Sequence, residues 1–364
     1  MTEEAILTQS PIYTTHPVVE VDGQTDQMIQ TLLTAMDLTE SDQGLSALEL
    51  QFENSATVNN QGNDYAFEYS DNDLLSLGKS ISIRAGDHHD PQELFQGRIS
   101  GLEMIVEADL QPKLIVLAED ALQKARLSRH TRLHGAGTVG SIAESIAADL
   151  GLNASVSGLD QAVDDQMQLN QSDLAFLRTL IRRFDAELQI VDDQLVIAPR
   201  RDIRRSELTL ELGSQLLTAR ILADLSHQVN RVTYAGFDVE AGQEIQTESN
   251  ASADLGPGRG QTGAQFLERA FGERSEHLAQ LFAQNDTEAQ ALVNAAYSDR
   301  ARRFVCAEGL AVGNPNIRVG THVSLRGLGP RFDNTYYVTR THHSFNTAQG
   351  YQTRFHAECA YLGE

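Results

Sequence analysis

The sequence has no tryptophan, only two cysteines and three lysines among 364 residues, and no long hydrophobic run. Two cysteines, Cys306 and Cys359, are too few for a disulfide framework, so we expect a reducing compartment and two buried thiols. The longest purely apolar run, residues 114–118, is far shorter than the roughly 20 residues that cross a bilayer. The sequence therefore predicts a chain without a membrane span or stabilising disulfides.

Basic residues are scarce as well: 28 Lys and Arg stand against 51 Asp and Glu, giving a net charge of −23. This argues against nucleic acid as a partner, because proteins that bind phosphate backbones cluster Lys and Arg. The N-terminal residues MTEEAILTQS carry acids and lack the apolar segment of a secretory signal, so we expect no signal peptide. Of the 28 bases, 25 are Arg, which suits ion-paired interfaces; a compositional bias is the alternative.

The charge is distributed unevenly along the chain. Residues 20–120 hold 20 acidic and 4 basic residues, a net charge of −16, whereas residues 121–205 hold 11 of each. Residues 47–52, 80–83 and 114–117 alternate apolar and polar side chains, which is typical of strands, and residues 26–36 are a short helix candidate. Residues 59–64 are rich in turn formers. We predict a first tube-like β-barrel over residues 1–118.

The next segment changes its hydrophobic period. Ser141 and Glu144 have the spacing of a capping box before a helix that ends at Gly151. A second helix is predicted over residues 172–184, and its apolar stripe is typical of a core rather than a cofactor site. Residues 186–199 alternate on both sides of an Asp-Asp pair, which predicts a hairpin. Residues 119–205 are therefore predicted to form a small α+β domain.

Strand patterns resume at residues 208–212 and 228–234, and again from residue 319 to residue 359. Between them, residues 265–282 and 287–303 are predicted helices, the second with a capping box opening at Thr287. The Gly-rich stretch 247–263, with GPGRG at 256–260, is predicted to be a connecting loop. We therefore predict a second tube-like barrel from residues 206–238 and 318–364, split by an inserted helical domain at 239–317.

Two stretches 242 residues apart have similar sequences: GKSISIR at residues 78–84 and GTHVSLR at residues 320–326. FQGRI at residues 95–99 follows the first, and FDNTY at residues 332–336 follows the second, at what we predict to be equivalent positions. The similarity favours an internal duplication of a β module. The alternative is two unrelated antiparallel hairpins.

Taken together, these stretches resemble the phage late control protein D and VgrG-type hubs at the centre of contractile tail and injection-machine baseplates. The resemblance depends on the order and spacing of several segments spread over most of the chain. They are LFQGRI at 94–99, QLNQSDLAFLR at 168–178, RRFDAEL at 182–188, VGTHVSLRGLG at 319–329, YYVTRTH at 336–342 and GYQTRF at 350–355.

The resemblance implies a homotrimer in which each subunit carries two similar barrels, so that three subunits present six lobes. Such a ring joins a hexameric tail tube protein on one side to a trimeric spike protein on the other, alongside other baseplate subunits. It implies assembly in the cytoplasm into a phage-tail-like particle. Many VgrG-type proteins continue into an OB-fold and a β-helical spike, whereas this sequence ends after the last predicted strand. We therefore expect either a separate spike polypeptide or a chain that was trimmed.

Candidate chemical sites are weak. Asp87, His88, His89 and Asp90 are adjacent on a predicted loop and point in different directions, so we expect no metal there. His342, His343, His356 and Cys359 lie on strands, where residues three apart face opposite sides. Residues 256–260 lack the Lys-Ser/Thr of a phosphate loop, and no Gly-x-Ser-x-Gly motif is present. We expect no catalytic, cofactor or metal residues.

The sequence thus predicts a mainly β fold with α+β insertions and a structural hub subunit that is not an enzyme. One alternative is an effector or cell-wall hydrolase module carried by the same kind of machine. A carbohydrate-binding protein is the other, although 6% aromatic residues without Trp make it less attractive.

Overall fold

The structure is a computed structural model that describes residues 16–58, 65–67, 73–87, 90–250, 255–279 and 283–363. The helices in these residues are α1 (Gln27–Leu32), α2 (Gln123–Leu127), α3 (Val139–Asp149), α4 (Asp173–Arg182), α5 (Gly263–Phe271) and α6 (Asp286–Arg302). The strands of the first third are β1 (Val18–Val21), β2 (Gln24–Thr25), β3 (Leu33–Ser41), β4 (Ala47–Glu53), β5 (Ala56–Val58), β6 (Tyr65–Phe67), β7 (Ser80–Gly86), β8 (Pro91–Ile105) and β9 (Lys113–Glu119).

The remaining strands follow in the same order. They are β10 (Arg129–His134), β11 (Gly137–Thr138), β12 (Asn153–Val156), β13 (Ala162–Val163), β14 (Gln166–Ser172), β15 (Ala186–Val191), β16 (Gln194–Pro199), β17 (Glu207–Glu211), β18 (Leu216–Ala223), β19 (Arg231–Asp238), β20 (Gln243–Ser249), β21 (Gln261–Thr262), β22 (Ser275–His277), β23 (Val305–Val312), β24 (His322–Arg326), β25 (Thr335–Asn346), β26 (Gly350–Cys359) and β27 (Tyr361–Leu362).

One sheet of 13 strands dominates the molecule. It consists of two units with six strands each, plus β2 at one end. In the first unit the spatial order is β1-β7-β8-β9-β4-β3, and in the second it is β17-β24-β25-β26-β23-β18. If the six strands of each unit are numbered from 1 to 6 in chain order, the spatial order across the sheet is 1-4-5-6-3-2 in both units. The predicted duplication is therefore confirmed, and unrelated hairpins are excluded.

The units differ at their first strands and are joined at an unexpected place. β1 runs antiparallel to β7, whereas β17 runs parallel to β24. The N-terminal end of β25 pairs with β24, and its C-terminal half pairs with β3 of the first unit. The mainly β fold with α+β insertions is confirmed, and the two six-strand units are joined edge to edge in one sheet.

The second half of the predicted repeat was misaligned by two residues. Ile81 lies opposite Gly97, and its counterpart Val323 lies opposite Tyr336. Tyr336, not Asn334, is thus the structural equivalent of Gly97. A shift of two residues keeps every side chain on its predicted face, so alternation alone does not detect the error.

Buried apolar side chains form four clusters. The first spans residues 19–118 and is completed by Phe345 and Tyr351 from the second unit. The others span residues 122–197, then residues 210–216 with 304–359, and finally residues 229–301 with Ala360. The first unit therefore depends on the second for part of its core.

The α+β segment contains the two predicted helices and the predicted hairpin, but the N-cap of its first predicted helix differs from the prediction. α4 begins after Ser172, which accepts a hydrogen bond from the Ala175 amide, and β15 and β16 form the predicted hairpin. Asp192 and Asp193 have φ of +49° and +58°, as its two-residue turn requires. The predicted cap at Ser141 is wrong: Thr138 caps α3, and Ser141 completes the capping box from the third helical position.

The predicted helical insertion also needs correction. β23 lies in the large sheet between β18 and β26, whereas β19 lies in a separate three-stranded sheet with β20 and β22. The helix predicted to reach residue 282 ends at Phe271, and Asn285 rather than Thr287 caps α6. β23 escaped prediction because three of its buried positions are Ala307, Gly309 and Ala311, and Ala and Gly are poor strand formers.

β23 also shows how the two units differ in packing. Gly309 lies opposite Phe355, and a Cβ on Gly309 would come within 2.3 Å of the Phe355 ring. The equivalent pair in the first unit is Leu50 opposite Val116. The second unit thus pairs a glycine with a large aromatic side chain where the first unit pairs two aliphatic side chains, at the same register.

The cysteines differ in exposure. Cys306 on β23 is exposed, so the prediction of two buried thiols holds only for Cys359.

Candidate functional site at the junction of the two units

The two units meet where residues 35–41 of β3 pair antiparallel with residues 340–346 of β25, and we call this pairing the junction. Phe345 lies opposite Met36 and is 4% exposed. Strand pairing satisfies the backbone hydrogen bonds of both edges, and Phe345 adds apolar burial. The junction therefore fixes the two units relative to one another.

A buried ion pair crosses the junction. Arg318, which precedes β24, donates from Nε to Glu40 Oε2 on β3 at 2.7 Å and from Nη2 to Glu40 Oε1. Thr341 Oγ1 donates to Glu40 Oε2 at 3.1 Å, and Arg205 Nη1 lies 3.9 Å from Oε1. Burial alone would raise the pKa of Glu40, but Arg318 outweighs it and the pKa falls to about 2.

Neighbouring histidines on β25 face opposite sides of the sheet. His343 is fully buried, with Nδ1 at 2.9 Å from Tyr351 Oη and 3.1 Å from Thr353 Oγ1. Burial and the nearby Arg318 charge lower its pKa to about 3. His342 points the other way, and its Nε2 lies 2.7 Å from Asp37 Oδ1. His342 and Asp37 form a diagonal pair across the junction.

His343 should make the protein less stable in mild acid. The unfolded chain binds its proton below about pH 6.5, but the folded protein binds it only near pH 3, so stability falls as the pH drops between these values. Between pH 7 and pH 5 this group should remove about 2 kcal/mol of unfolding free energy. Denaturant unfolding at both pH values should show a smaller loss for His343→Gln. His227→Gln, at an exposed position, is the control, and equal losses in all three proteins would contradict the expectation.

Arginines also attach the α+β segment to the second unit. Arg200, buried behind β16, lies 2.8 Å from Glu358 and 3.4 Å from Glu187, and its guanidinium stacks 4.3 Å from the Tyr337 ring centroid. Tyr337 Oη donates to Glu187 Oε2 at 2.8 Å. Burial raises the pKa of Glu187 to about 7. Nearby, Arg302 Nη1 donates to Asp185 Oδ2 at 2.8 Å. These contacts fit the interface role that the Arg-rich composition suggested.

The weak chemical candidates do not come together into a site. His88 and His89 lie outside the described residues, as does the turn-rich stretch 59–64. Within the described part of the chain, no group of three or more His, Cys, Asp or Glu side chains is arranged to hold a metal ion. Leu174, Leu177 and Leu180 of the apolar stripe on α4 are core residues.

The Gly-rich stretch 256–260 is packed rather than free as a connecting loop. Asn334 accepts a hydrogen bond from the Arg259 amide and donates to its carbonyl, both at 2.9 Å. Gly258, at φ +114°, leaves no room for a Cβ, which would lie 2.5 Å from Cys359 Sγ. The loop approaches the C-terminal strands too closely for side chains. Beside it lies a cleft of about 650 Å³ lined by both charge signs, including Arg204, Glu207 and Arg326.

Across the residues that the structure covers, no helix combines the length and apolar character needed to span a membrane. The sequence could not reveal the junction, because Glu40 and Arg318 are 278 residues apart and neither belongs to a motif. The repeated stretches did locate β24, which pairs with β25 beside the junction, and β7, which lies on the far side of the first unit.

Comparison with known proteins gives one family match and several structural matches. Residues 56–347 match the family described as the Alg8 N-terminal domain. No curated protein sequence matches the chain. The 43 kDa tail protein of prophage MuSo2 from Shewanella oneidensis is 13% identical with a TM-score of 0.68, covering 95% of this chain and 98% of its own.

Two further solved structures have the same fold. The tail protein from Neisseria meningitidis MC58 is 11% identical with a TM-score of 0.66, covering 94% of this chain and 96% of its own. The E. coli c3393 protein is 12% identical with a TM-score of 0.59, covering 95% of this chain and 78% of its own. It is described as a type VI secretion system component with structural similarity to T4 bacteriophage tail proteins gp27 and gp5. The fold of this chain is therefore one found in phage tail proteins.

Proposed function

The chain belongs to the family described as the Alg8 N-terminal domain, and from its fold, which is one found in phage tail proteins, we propose that it is a structural baseplate subunit of a contractile tail or injection system. In this role it is a hub of the late control protein D and VgrG type. Its work is to hold other subunits in position, not to catalyse a reaction.

Three copies form a ring in which each contributes two similar units, so that the ring has six lobes. One face of the ring accepts a hexameric tail tube, and the other accepts a trimeric spike. The observation that carries this proposal is the repetition of a six-strand order within one chain. A chain with two equivalent units converts threefold symmetry into approximate sixfold symmetry without a second gene product.

The domain organisation proposed with this function follows the four apolar clusters. The units that face tube and spike are built from residues 1–118 and from residues 206–224 with 304–364. The α+β domain at 119–205 and the insertion, redrawn at 225–303, lie outside the repeat, where they are available to other baseplate subunits. The ion pair Glu40–Arg318 connects the two units, and Glu358–Arg200 connects the α+β domain to the second unit.

Mass measurement and co-expression test the proposed function. Light scattering of the purified chain should approach the mass of three 40.0 kDa subunits, alone or after addition of the spike protein encoded beside it. Co-expression with the neighbouring tail tube and spike genes should yield one complex that contains all three proteins. The proposal fails if the three proteins do not associate in any combination.

A further inference from the structure

Both units have an equivalent strand edge, but among the described strands only the edge of the second unit has a partner. In the second unit, the part of β25 beyond Val338 pairs with β26 on one side and with β3 on the other. In the first unit, the part of β8 beyond Ile99 pairs with β9 on one side, and none of the described strands pairs with its other side. β18, the counterpart of β3, ends the sheet.

Matching β-bulges make the two units comparable residue by residue. The pairing of β8 with β9 shifts between Ile99 and Gly101, and that of β25 with β26 shifts between Val338 and Arg340. Equivalent residues of β8 and β25 therefore differ by 239 in number, as 101 and 340 do. Bulges mark register, because the extra residue is fixed in the ladder.

A second pair of bulges aligns the opposite edges. β3 and β4 shift register between Leu33 and Ala35, and β18 and β23 shift between Leu216 and Thr218. Equivalent residues of β3 and β18 therefore differ by 183, as 33 and 216 do. The register of the junction can thus be transferred to β8 and β18.

We propose that residues 101–107 of one copy pair antiparallel with residues 218–224 of a second copy, in the register of the junction. The inference rests on the proposed function and names the surface by which its ring closes. In this register, Leu102 lies opposite Ala223, Ile105 opposite Arg220, and Val106 opposite Ala219.

Apolar exposure supports this pairing. Thr341 and Phe345 on β25 are 0% and 4% exposed at the junction. Their counterparts Leu102 and Val106 are 40% and 61% exposed in the single chain, and Leu110 at the tip of the same hairpin is 60% exposed. A second copy that covers this edge as β3 covers β25 would bury Leu102 and Val106. Leu217 on β18 is also exposed, as are Leu212 and Val312 near the start of that strand.

Charge complementarity supports the same register. The diagonal pair at the junction is His342 with Asp37, and transfer to β8 and β18 gives Glu103 with Arg220. The acid and the base have changed strands, but the two positions still carry opposite charges. The buried pair of Thr341 and Glu40 becomes Leu102 and Ala223, so the contact between copies needs no buried ion.

The contact is heterologous, because β8 of each copy meets β18 of the next and no copy uses the same edge twice. Contacts of this kind form closed rings when the rotation between copies closes. They also remove the exposed sheet edges, which otherwise invite uncontrolled association.

Register-specific cross-linking tests the pairing in a Cys306→Ser background, which removes the exposed native thiol. Mixing Leu102→Cys with Ala223→Cys should give a covalent dimer under mild oxidation, because directly opposed Cβ atoms lie within disulfide range. A chain with both substitutions should give covalently closed rings. Leu102→Cys with Leu222→Cys, one residue out of register and on the opposite face, should remain uncross-linked. No disulfide in the first pair, with the chain alone and with co-expressed tube and spike, overturns the interface.

Charge reversal tests the same contact without cysteines. Glu103→Arg or Arg220→Glu should weaken ring formation at least about tenfold in dissociation constant, and the double exchange should restore it. Glu244→Arg, an exposed acid on β20 in a different sheet, is the control and should assemble normally. All variants should unfold like the wild type as single chains. If the wild type forms rings that neither reversal weakens, the proposed function stands and this interface is wrong; if the wild type never forms a ring, the proposed function itself fails.

Discussion

The Arg318→Met substitution is expected to lower the free energy of unfolding by about 3–5 kcal/mol, since it leaves the Glu40 carboxylate buried without its cation. Glu40 is 6% exposed, and Thr341 with the more distant Arg205 would be its remaining partners. Denaturant unfolding at neutral pH measures the loss. The variant should lose less in acid, where protonation removes the unpaired charge.

Two further proteins separate the cost of an unpaired charge from the loss of a side chain. Replacing both partners, Glu40→Leu with Arg318→Met, should recover most of the stability, because a buried ion pair and a well-packed apolar pair are close in free energy. Arg326→Met, at an exposed position on β24, should change stability by no more than about 0.5 kcal/mol. A double variant as unstable as Arg318→Met alone would show that packing, not charge, governs this position.

Local pattern was enough to predict most elements that depend on near neighbours in sequence. The β15–β16 hairpin follows from alternation around Asp192 and Asp193, and α4 from its apolar stripe after Ser172. Both depend on hydrogen bonds and turns within about 15 residues, which the residues themselves encode. The caps of α3 and α6 were misplaced by two or three residues because several Ser, Thr and Asn residues competed for each cap.

Sheet membership could not be read from the same pattern. β19 and β23 both alternate, yet β23 joins the large sheet and β19 the small one, because their partners lie far away in the chain. The repeat was visible only at β7 and β24, where the side chains stayed similar. Elsewhere the units exchanged large and small residues, as at Leu50 and Gly309, and the equivalence became visible only in the register.

The junction was beyond sequence reasoning for a related reason. The position of Thr341 in the second unit is held by Leu102 in the first, and that of Glu40 in the first by Ala223 in the second. One junction is built with a buried ion pair within the chain, and its proposed counterpart between chains is apolar. Equivalent backbone positions thus carry side chains of different chemistry. A comparison of the two halves of the sequence therefore does not show that these positions are equivalent.

Phe345→Ala should cost about 3–5 kcal/mol of unfolding free energy, the range for removing a buried aromatic side chain. The ring lies in the core of the first unit although it belongs to a strand of the second, so its loss leaves a cavity where the units join. Chemical denaturation of the single chain measures the change. The substitution should also increase the accessibility of β3 amides to hydrogen exchange, because those amides depend on β25 for protection.

Val106→Ala is the matched control, because Val106 occupies in the first unit the position that Phe345 occupies in the second. In a single chain Val106 is 61% exposed, so its truncation should change stability by no more than about 0.5 kcal/mol. In an assembled ring the same truncation removes apolar area that the next copy covers, and should weaken association between copies. A large loss of single-chain stability from Val106→Ala, or none from Phe345→Ala, would mean that the two positions are not equivalent and that the transferred register is wrong.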